Sequence, residues 1–230
     1  MIYVTSDIHG QMEDLLLLLQ QAKVGPEDTL YVLGDAADRG PDGAAMLRWL
    51  TRQPNVRFLL GNHENMLLEC AFLFFGDGSP RTELEERHLG RWLRNGAQPT
   101  IDGLRRMARE EPEELRRVLA ALRRAPAVGQ LRVGEREFVL VHGGLPEFDA
   151  ARPLADYPTF DLLWHRPTPE EHWYTDRLTV IGHTPTGFYG QECAGRALWT
   201  DTWVDIDTGA GHGGTPMLLR LDDLQEFYPE

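Results

Sequence analysis

Asp7 and His9 stand two positions apart, Asp35 follows Gly34, Asn62 follows Gly61, His142 precedes Gly143 and Gly144, and His183 follows Gly182. Carboxylate, imidazole and amide groups are donors for divalent cations, and alternate residues of an extended segment project the same way, so Asp7 and His9 can grip one ion. A lone Asp-x-His is explained by capping or packing more often than by metal. Here five clusters repeat the pattern, each with glycine beside it to let the backbone turn tightly. They bring more donors than one ion needs, which implies two ions bridged by a carboxylate. Such a pair, about 3.5 to 4 Å apart, shares a hydroxide, lowers its pKa to near neutral and clamps the attacking and leaving oxygens of an in-line displacement at phosphorus. The mixed nitrogen and oxygen donors favour Mn, with Fe or Zn as alternatives, over a thiolate site.

Short apolar runs precede these clusters and must position them. Residues 1–5, 29–33 and 56–60 read as strands, with helix-period segments at 11–22 and 41–52 between them. Pro41 opens the second helix, where its missing N–H costs nothing, and Met46, Leu47 and Leu50 fall on one face. From about residue 65 to 125 the chain turns helical, with Leu67, Leu68, Ala71 and Phe72 spaced for a buried face. This reads as a helical insertion within one domain spanning residues 1–230. Residues 130–141 suggest a hairpin around Gly134 and Glu135, and 178–181, 203–206 and 217–221 continue a second block of strands. The alternation points to an α/β fold with parallel pairing, and such sheets bind ligands past the carboxyl ends of their strands. The five clusters fall there.

Composition narrows the field. The 230 residues are 42% hydrophobic, enough for one domain with a substantial core. The chain does not start with a basic segment and a long apolar run, and no apolar stretch approaches the roughly 20 residues that span a bilayer, so neither secretion by a signal peptide nor a membrane partner is expected. Cys70 and Cys193 form neither a metal pair nor a redox motif. They read as buried free thiols, suited to a reducing cytoplasm. A formal charge of -13 repels nucleic-acid phosphates. The arginines between Arg105 and Arg124 are interleaved with Glu110, Glu111, Glu113 and Glu114, as on a solvated helical face. No nucleic-acid partner is expected.

Five ordered blocks carry a family resemblance: Ser6-Asp7-Ile8-His9-Gly10, Gly34-Asp35-Ala36-Ala37-Asp38-Arg39-Gly40, Gly61-Asn62-His63-Glu64, His142-Gly143-Gly144-Leu145 and Gly182-His183-Thr184-Pro185. Together they resemble the calcineurin-like metallophosphoesterase superfamily, and their spelling is similar to its bacterial serine/threonine protein phosphatases, the lambda phosphatase-like group. Trp92-Leu93 through Asn95-Gly96, and Asp207-Thr208-Gly209-Ala210 ahead of Gly213-Gly214, are weaker echoes. The resemblance implies an α/β/β/α sandwich of two mixed sheets flanked by helices. It implies that Asp7 and His9 hold the first metal, that Asp35 bridges, and that Asn62, His142 and His183 hold the second. His63 would protonate the leaving alkoxide with Asp38 orienting it. Arg39, Arg166 and Asn62 would grip the phosphate, the guanidinium forks matching its oxygens. The implied activity is hydrolysis of phosphomonoesters, with a phosphoprotein or phosphopeptide carrying phosphoserine or phosphothreonine as substrate.

Leu60 stands where many protein phosphatases carry arginine, and the Trp164-His165-Arg166 segment departs from the eukaryotic spelling. His165 reads as a surface or packing residue, His88 and His172 as solvated, and His212 as loop packing, with a place beside the site as its alternative. The run Phe72, Leu73, Phe74 and Phe75 reads as the buried end of a helix, with a substrate groove or dimer contact as the sharper reading. Two other functions remain open. Relatives that hydrolyse dinucleoside polyphosphates such as diadenosine tetraphosphate use the same cage, but typically lack an acid at the position of Asp38 and end the third block in aspartate. A non-catalytic, metal-stabilised interaction module would be expected to have lost part of the set Asp38, Arg39 and His63.

Overall fold

A computed structural model describes residues 1–229. The chain runs β1 (Ile2–Thr5), α1 (Met12–Gln21), β2 (Thr29–Val32), α2 (Gly43–Leu50) and β3 (Val56–Phe58). It continues through α3 (Asn62–Glu69), α4 (Glu83–Arg94), α5 (Gln98–Glu110) and α6 (Pro112–Arg124) before returning to strands. The second block is β4 (Val128–Val133), β5 (Arg136–Val141), α7 (Thr159–Trp164), β6 (Leu178–Ile181), β7 (Leu198–Trp199), β8 (Trp203–Asp205), β9 (Leu218–Arg220) and β10 (Gln225–Phe227). None of the described helices is long and apolar enough to cross a membrane.

Two five-stranded sheets result, ordered β10-β9-β1-β2-β3 and β4-β5-β6-β8-β7. In the first, β1, β2 and β3 run parallel while β9 and β10 are antiparallel additions. In the second, β5, β6 and β8 are parallel, flanked by antiparallel β4 and β7. Period-two alternation assigns each side chain to a layer. Val4, Leu33 and Leu59 meet Phe138, Leu140, Val180 and Val204 between the sheets. Tyr3, Leu30 and Val32 face outward onto Leu15 and Leu18 of α1, Met46 and Leu47 of α2 and Leu119 of α6. On the far side Val139, Val141, Ile181 and Trp203 pack on Leu162, Trp173 and Tyr157. The architecture is the α/β/β/α sandwich of two mixed sheets that the family resemblance implied.

The helical stretch between β3 and β4 has local reasons for its boundaries. Thr82 caps α4 by accepting the Glu85 amide at 3.1 Å, and a proline stands in the first turn of both α5 and α6. Several expectations need correction. Helix α2 begins at Gly43 rather than Pro41, because the two preceding residues form a turn. Residues 71–74 are a separate 3-10 turn rather than the end of a helix, and it leaves Phe75 44% exposed. Cys193 is only partly buried, while Cys70 is buried as expected, and both are free thiols.

Candidate metal centre

The five clusters meet where the carboxyl ends of β1, β2 and β3 face those of β5 and β6. Asp7, His9, Asp35, Asn62, His63, His142 and His183 are all buried there, each 4% exposed or less. Among the described residues nine that are not glycine have positive φ, and six belong to this edge: Asp7, His9, Asp35, Asp38, Arg39 and His183. Each such conformation costs about 1–3 kcal/mol unless its surroundings hold it, and concentrations of this kind mark functional sites. The loops also cross closely: a Cβ on Gly34, whose φ is +82°, would lie 2.3 Å from Gly61 Cα. Only glycine allows that approach.

Backbone and side-chain bonds aim the donors. His9 Nδ1 lies 2.8 Å from Ala37 O and His142 Nδ1 lies 2.6 Å from Leu33 O, so each ring is oriented with Nε2 toward the centre. Asp35 sits in the middle: Oδ1 is 3.3 Å from His142 Nε2, and Oδ2 is 3.9 Å from His9 Nε2 and 3.7 Å from His63 Nε2. Asn62 Oδ1 is 2.8 Å from His142 Nε2. Asp7 Oδ2 accepts from Ser6 Oγ at 2.5 Å and from the His183 amide at 2.9 Å, fastening the first sheet to the second. Two sets of donors lie close enough to hold a cation, His9 with Asp35 and His63, and Asp35 with His142 and His183. Asp35 belongs to both. Asp7 belongs to neither set, although it is coupled electrostatically to Asp35 and His142.

Charge and burial favour a cation. Burial, with His142 and Arg166 adding to it, pushes His183 down to about 2, and burial and His63 hold His9 well below its ordinary value. Both rings are therefore neutral lone-pair donors, and His183 Nε2 is buried with no partner. Burial raises Asp7 as well, while Asp205 and Asp207 at the end of β8 are raised well above the usual carboxylate range by burial and by neighbouring carboxylates. Although burial opposes it, Asp35 and Asp7 raise His142 to about 10, so a metal there would displace its proton. Buried carboxylates beside two neutral rings, one with an orphaned nitrogen, fit bound divalent metal.

Beside this group, His63 Nδ1 lies 2.6 Å from Asp38 Oδ2, with both side chains buried. Burial opposes charge on the His63 ring, but the carboxylates of Asp35 and Asp38 overcome it and raise its pKa. Arg39 stands between the rings, Nη1 at 3.0 Å from His9 Nε2 and Nη2 at 3.2 Å from His63 Nε2. Arg166 Nη1 donates to His183 O at 2.9 Å and to Thr184 Oγ1 at 3.3 Å. Leu60 is buried. His165 pairs with Glu171 and packs near Trp173, and His172 is exposed. His88 is half-buried rather than solvated. His212 does more than pack its loop, since its Nε2 lies 3.2 Å from Arg39 Nη1.

Glu64 closes the Gly61-Asn62-His63-Glu64 block, and sequence alone assigns it no role. It is fully buried and accepts the amides of Asp35, Ala36, Ala37 and Gly61 at 2.8 to 3.3 Å. The signal available was its position three residues into a helix that opens at Gly61, where a carboxylate reaches back to the first amides. Asp205, at the end of its strand, carried no signal beyond its neighbour Asp207.

Residues 1–206 match the family model for calcineurin-like phosphoesterases. The chain is 26% identical over 227 residues to serine/threonine-protein phosphatase 1 of Salmonella typhimurium, covering 96% of this chain and 91% of that protein. It is 33% identical over 157 residues to a symmetrical bis(5'-nucleosyl)-tetraphosphatase of an Acidovorax species, covering 67% of this chain but 48% of that protein, less than half its length. In fold it is similar to the crystal structure of a candidate diadenosine tetraphosphatase, with a TM-score of 0.67 at 18% identity, covering 98% of this chain and 91% of that one.

Proposed function

The chain belongs to the calcineurin-like phosphoesterase family and is a metallophosphoesterase hydrolase, and we propose that its substrates are phosphoserine or phosphothreonine residues of proteins. The observation that carries this reading is the buried 2.6 Å contact between His63 and Asp38. A seryl or threonyl alkoxide is a poor leaving group and needs a proton as the P–O bond breaks. A dinucleoside polyphosphate leaves as a nucleotide phosphate, a far weaker base, and gains little from such an acid.

Asp7, His9 and Asp35 would hold one divalent cation and Asp35, Asn62, His142 and His183 the other, and these ions, when bound, supply water activation and neutralise charge on the phosphate. Mn suits the donor set, with Fe or Zn as alternatives. Arg39 and Arg166 would then grip the phosphate oxygens together with the Asn62 amide. His63 keeps one proton on Nδ1 toward Asp38 and delivers the other from Nε2 to the leaving oxygen. The free thiols suit a reducing, cytoplasmic setting.

A second reading, hydrolysis of dinucleoside polyphosphates, is favoured by the similarity to the Acidovorax tetraphosphatase and by uncharged Leu60. Parallel assays of Mn-loaded protein on a phosphoserine peptide and on diadenosine tetraphosphate separate the two. Faster release of phosphate from the peptide, lost in His63→Asn, is the expected result; faster cleavage of the dinucleotide, indifferent to His63→Asn, would replace this reading with the second.

A further inference from the structure

The Trp92 to Gly96 motif lies against Asp38 and Arg39. Trp92 is fully buried on α4, and its indole Nε1 donates to Asp38 Oδ2 at 2.6 Å. That oxygen is the one that faces His63 Nδ1, also at 2.6 Å. The other carboxylate oxygen, Asp38 Oδ1, is buried without a partner. Every side-chain restraint on the Asp38 carboxylate therefore passes through a single oxygen shared by an indole and an imidazole. Charge-assisted bonds of this length are strong and directional.

The same stretch holds the backbone around Asp38. Asp38 and Arg39 have φ of +70° and +63°, a pair of left-handed conformations that neither side chain favours. The Asp38 amide donates to Thr100 Oγ1 at 2.9 Å and the Arg39 amide to Gly96 O at 2.9 Å. A Cβ on Gly96 would lie 2.9 Å from Arg39 Cγ. Three contacts from residues 92–100 thus surround a dipeptide that carries both the partner of His63 and the guanidinium between the rings.

We propose that Trp92 is a positioning residue for the Asp38–His63 pair, its indole N–H fixing the carboxylate that orients the proton donor, so that the helical insertion sets the acid step at the metal-binding edge. This rests on the reading of His63 as the acid. In that step the Nε2–H bond breaks and an O–H bond forms on the leaving alkoxide. The ester P–O bond breaks as a new P–O bond forms to water, one proton of that water passes to solvent, and the imidazolium becomes neutral. Loss of the indole N–H frees the carboxylate to turn its unpartnered oxygen toward His63 and misaligns the ring.

Leaving-group dependence separates positioning from packing. Dinitrophenyl phosphate leaves as a stable phenolate and needs no acid, whereas a phosphoserine peptide does. For Trp92→Phe in the Mn-loaded enzyme, kcat on the peptide should fall about tenfold, the size of one hydrogen bond to a charged group. KM should be unchanged, and turnover of dinitrophenyl phosphate should stay within about twofold, a difference too small to represent a lost bond. If Trp92→Phe does not fold, 3-benzothienyl-alanine incorporated in place of Trp92 keeps the volume and deletes only the N–H. His63→Asn is assayed alongside. If it slows both substrates equally, the acid reading fails and this proposal fails with it. If it is selective for the peptide while both Trp92 replacements slow the two substrates equally, or neither, Trp92 is a packing residue and the proposal alone is overturned.

Discussion

The carboxylate of Glu64 accepts the backbone N–H of Asp35 at 2.8 Å, so the residue at the centre of both donor sets is held by a side chain from the first turn of α3. Glu64 also takes the amides of Ala36, Ala37 and Gly61. Burial, reinforced by the charge of Asp35, pushes its carboxyl up to about 7, while these amides favour the charged form. Glu64→Ala would leave four buried donors unsatisfied. Denaturant unfolding should show a loss of at least about 3 kcal/mol, several times the value of one ordinary hydrogen bond. Unchanged stability would mean that water replaces Glu64 without cost.

Arg39 reaches His9 and His63 with different terminal nitrogens, a fork suited to a tetrahedral phosphate. Arg39→Ala should lower kcat/KM by about 10²–10³, the usual cost of one donor to transition-state charge. It should also weaken inhibition by inorganic phosphate. Arg39→Lys should recover little of this, because an ammonium cannot reproduce the fork. Full activity in Arg39→Lys would show that only the charge matters.

Three arginines converge on Glu114, whose side chain is 5% exposed: Arg52 Nε at 2.7 Å, Arg48 Nε at 3.8 Å, and Arg117. The Arg52 hydrogen bond, working against burial and aided by the charges of Arg52 and Arg117, lowers the Glu114 pKa from its ordinary 4.5. A carboxylate with a depressed folded-state pKa contributes stability above its unfolded value and loses it as pH falls through the folded one. Thermal unfolding should therefore show stability declining below about pH 4.5, with a shallower decline in Glu114→Gln. Parallel acid limbs for the two proteins would contradict this.

Most of the candidate site was legible in the sequence because its residues are local: each cluster of polar donors directly follows or sits beside an apolar run. Most of the strands followed from the same runs, their arrangement in two sheets came with the family resemblance, and the hairpin at Gly134 and Glu135 fell where expected. Two short strands, Leu198–Trp199 and Gln225–Phe227, left no signal, since two or three residues show no period. The bond from Trp92 to Asp38 joins positions 54 apart and exists only through packing. His212 reaches Arg39 from 173 positions away, across a turn shaped by two left-handed glycines, Gly209 and Gly213.

Chelation should destabilise the protein as well as silence it. Asp7, Asp35, Asp205 and Asp207 are buried within the same group, and cations bound there would offset their mutual repulsion. The Tm should rise with Mn concentration as expected for a ligand that binds only the folded state. A Tm indifferent to Mn and to chelator would indicate that the carboxylates are neutralised by protons alone.

The most direct test of the central claim, two cations sharing Asp35, is a calorimetric titration of chelator-stripped protein with Mn, followed by electron paramagnetic resonance of the loaded sample. Two equivalents per chain with a spin-coupled signal, reduced in Asp35→Ala to at most one uncoupled ion, is the predicted result. A single uncoupled equivalent in the unmodified protein would contradict the account.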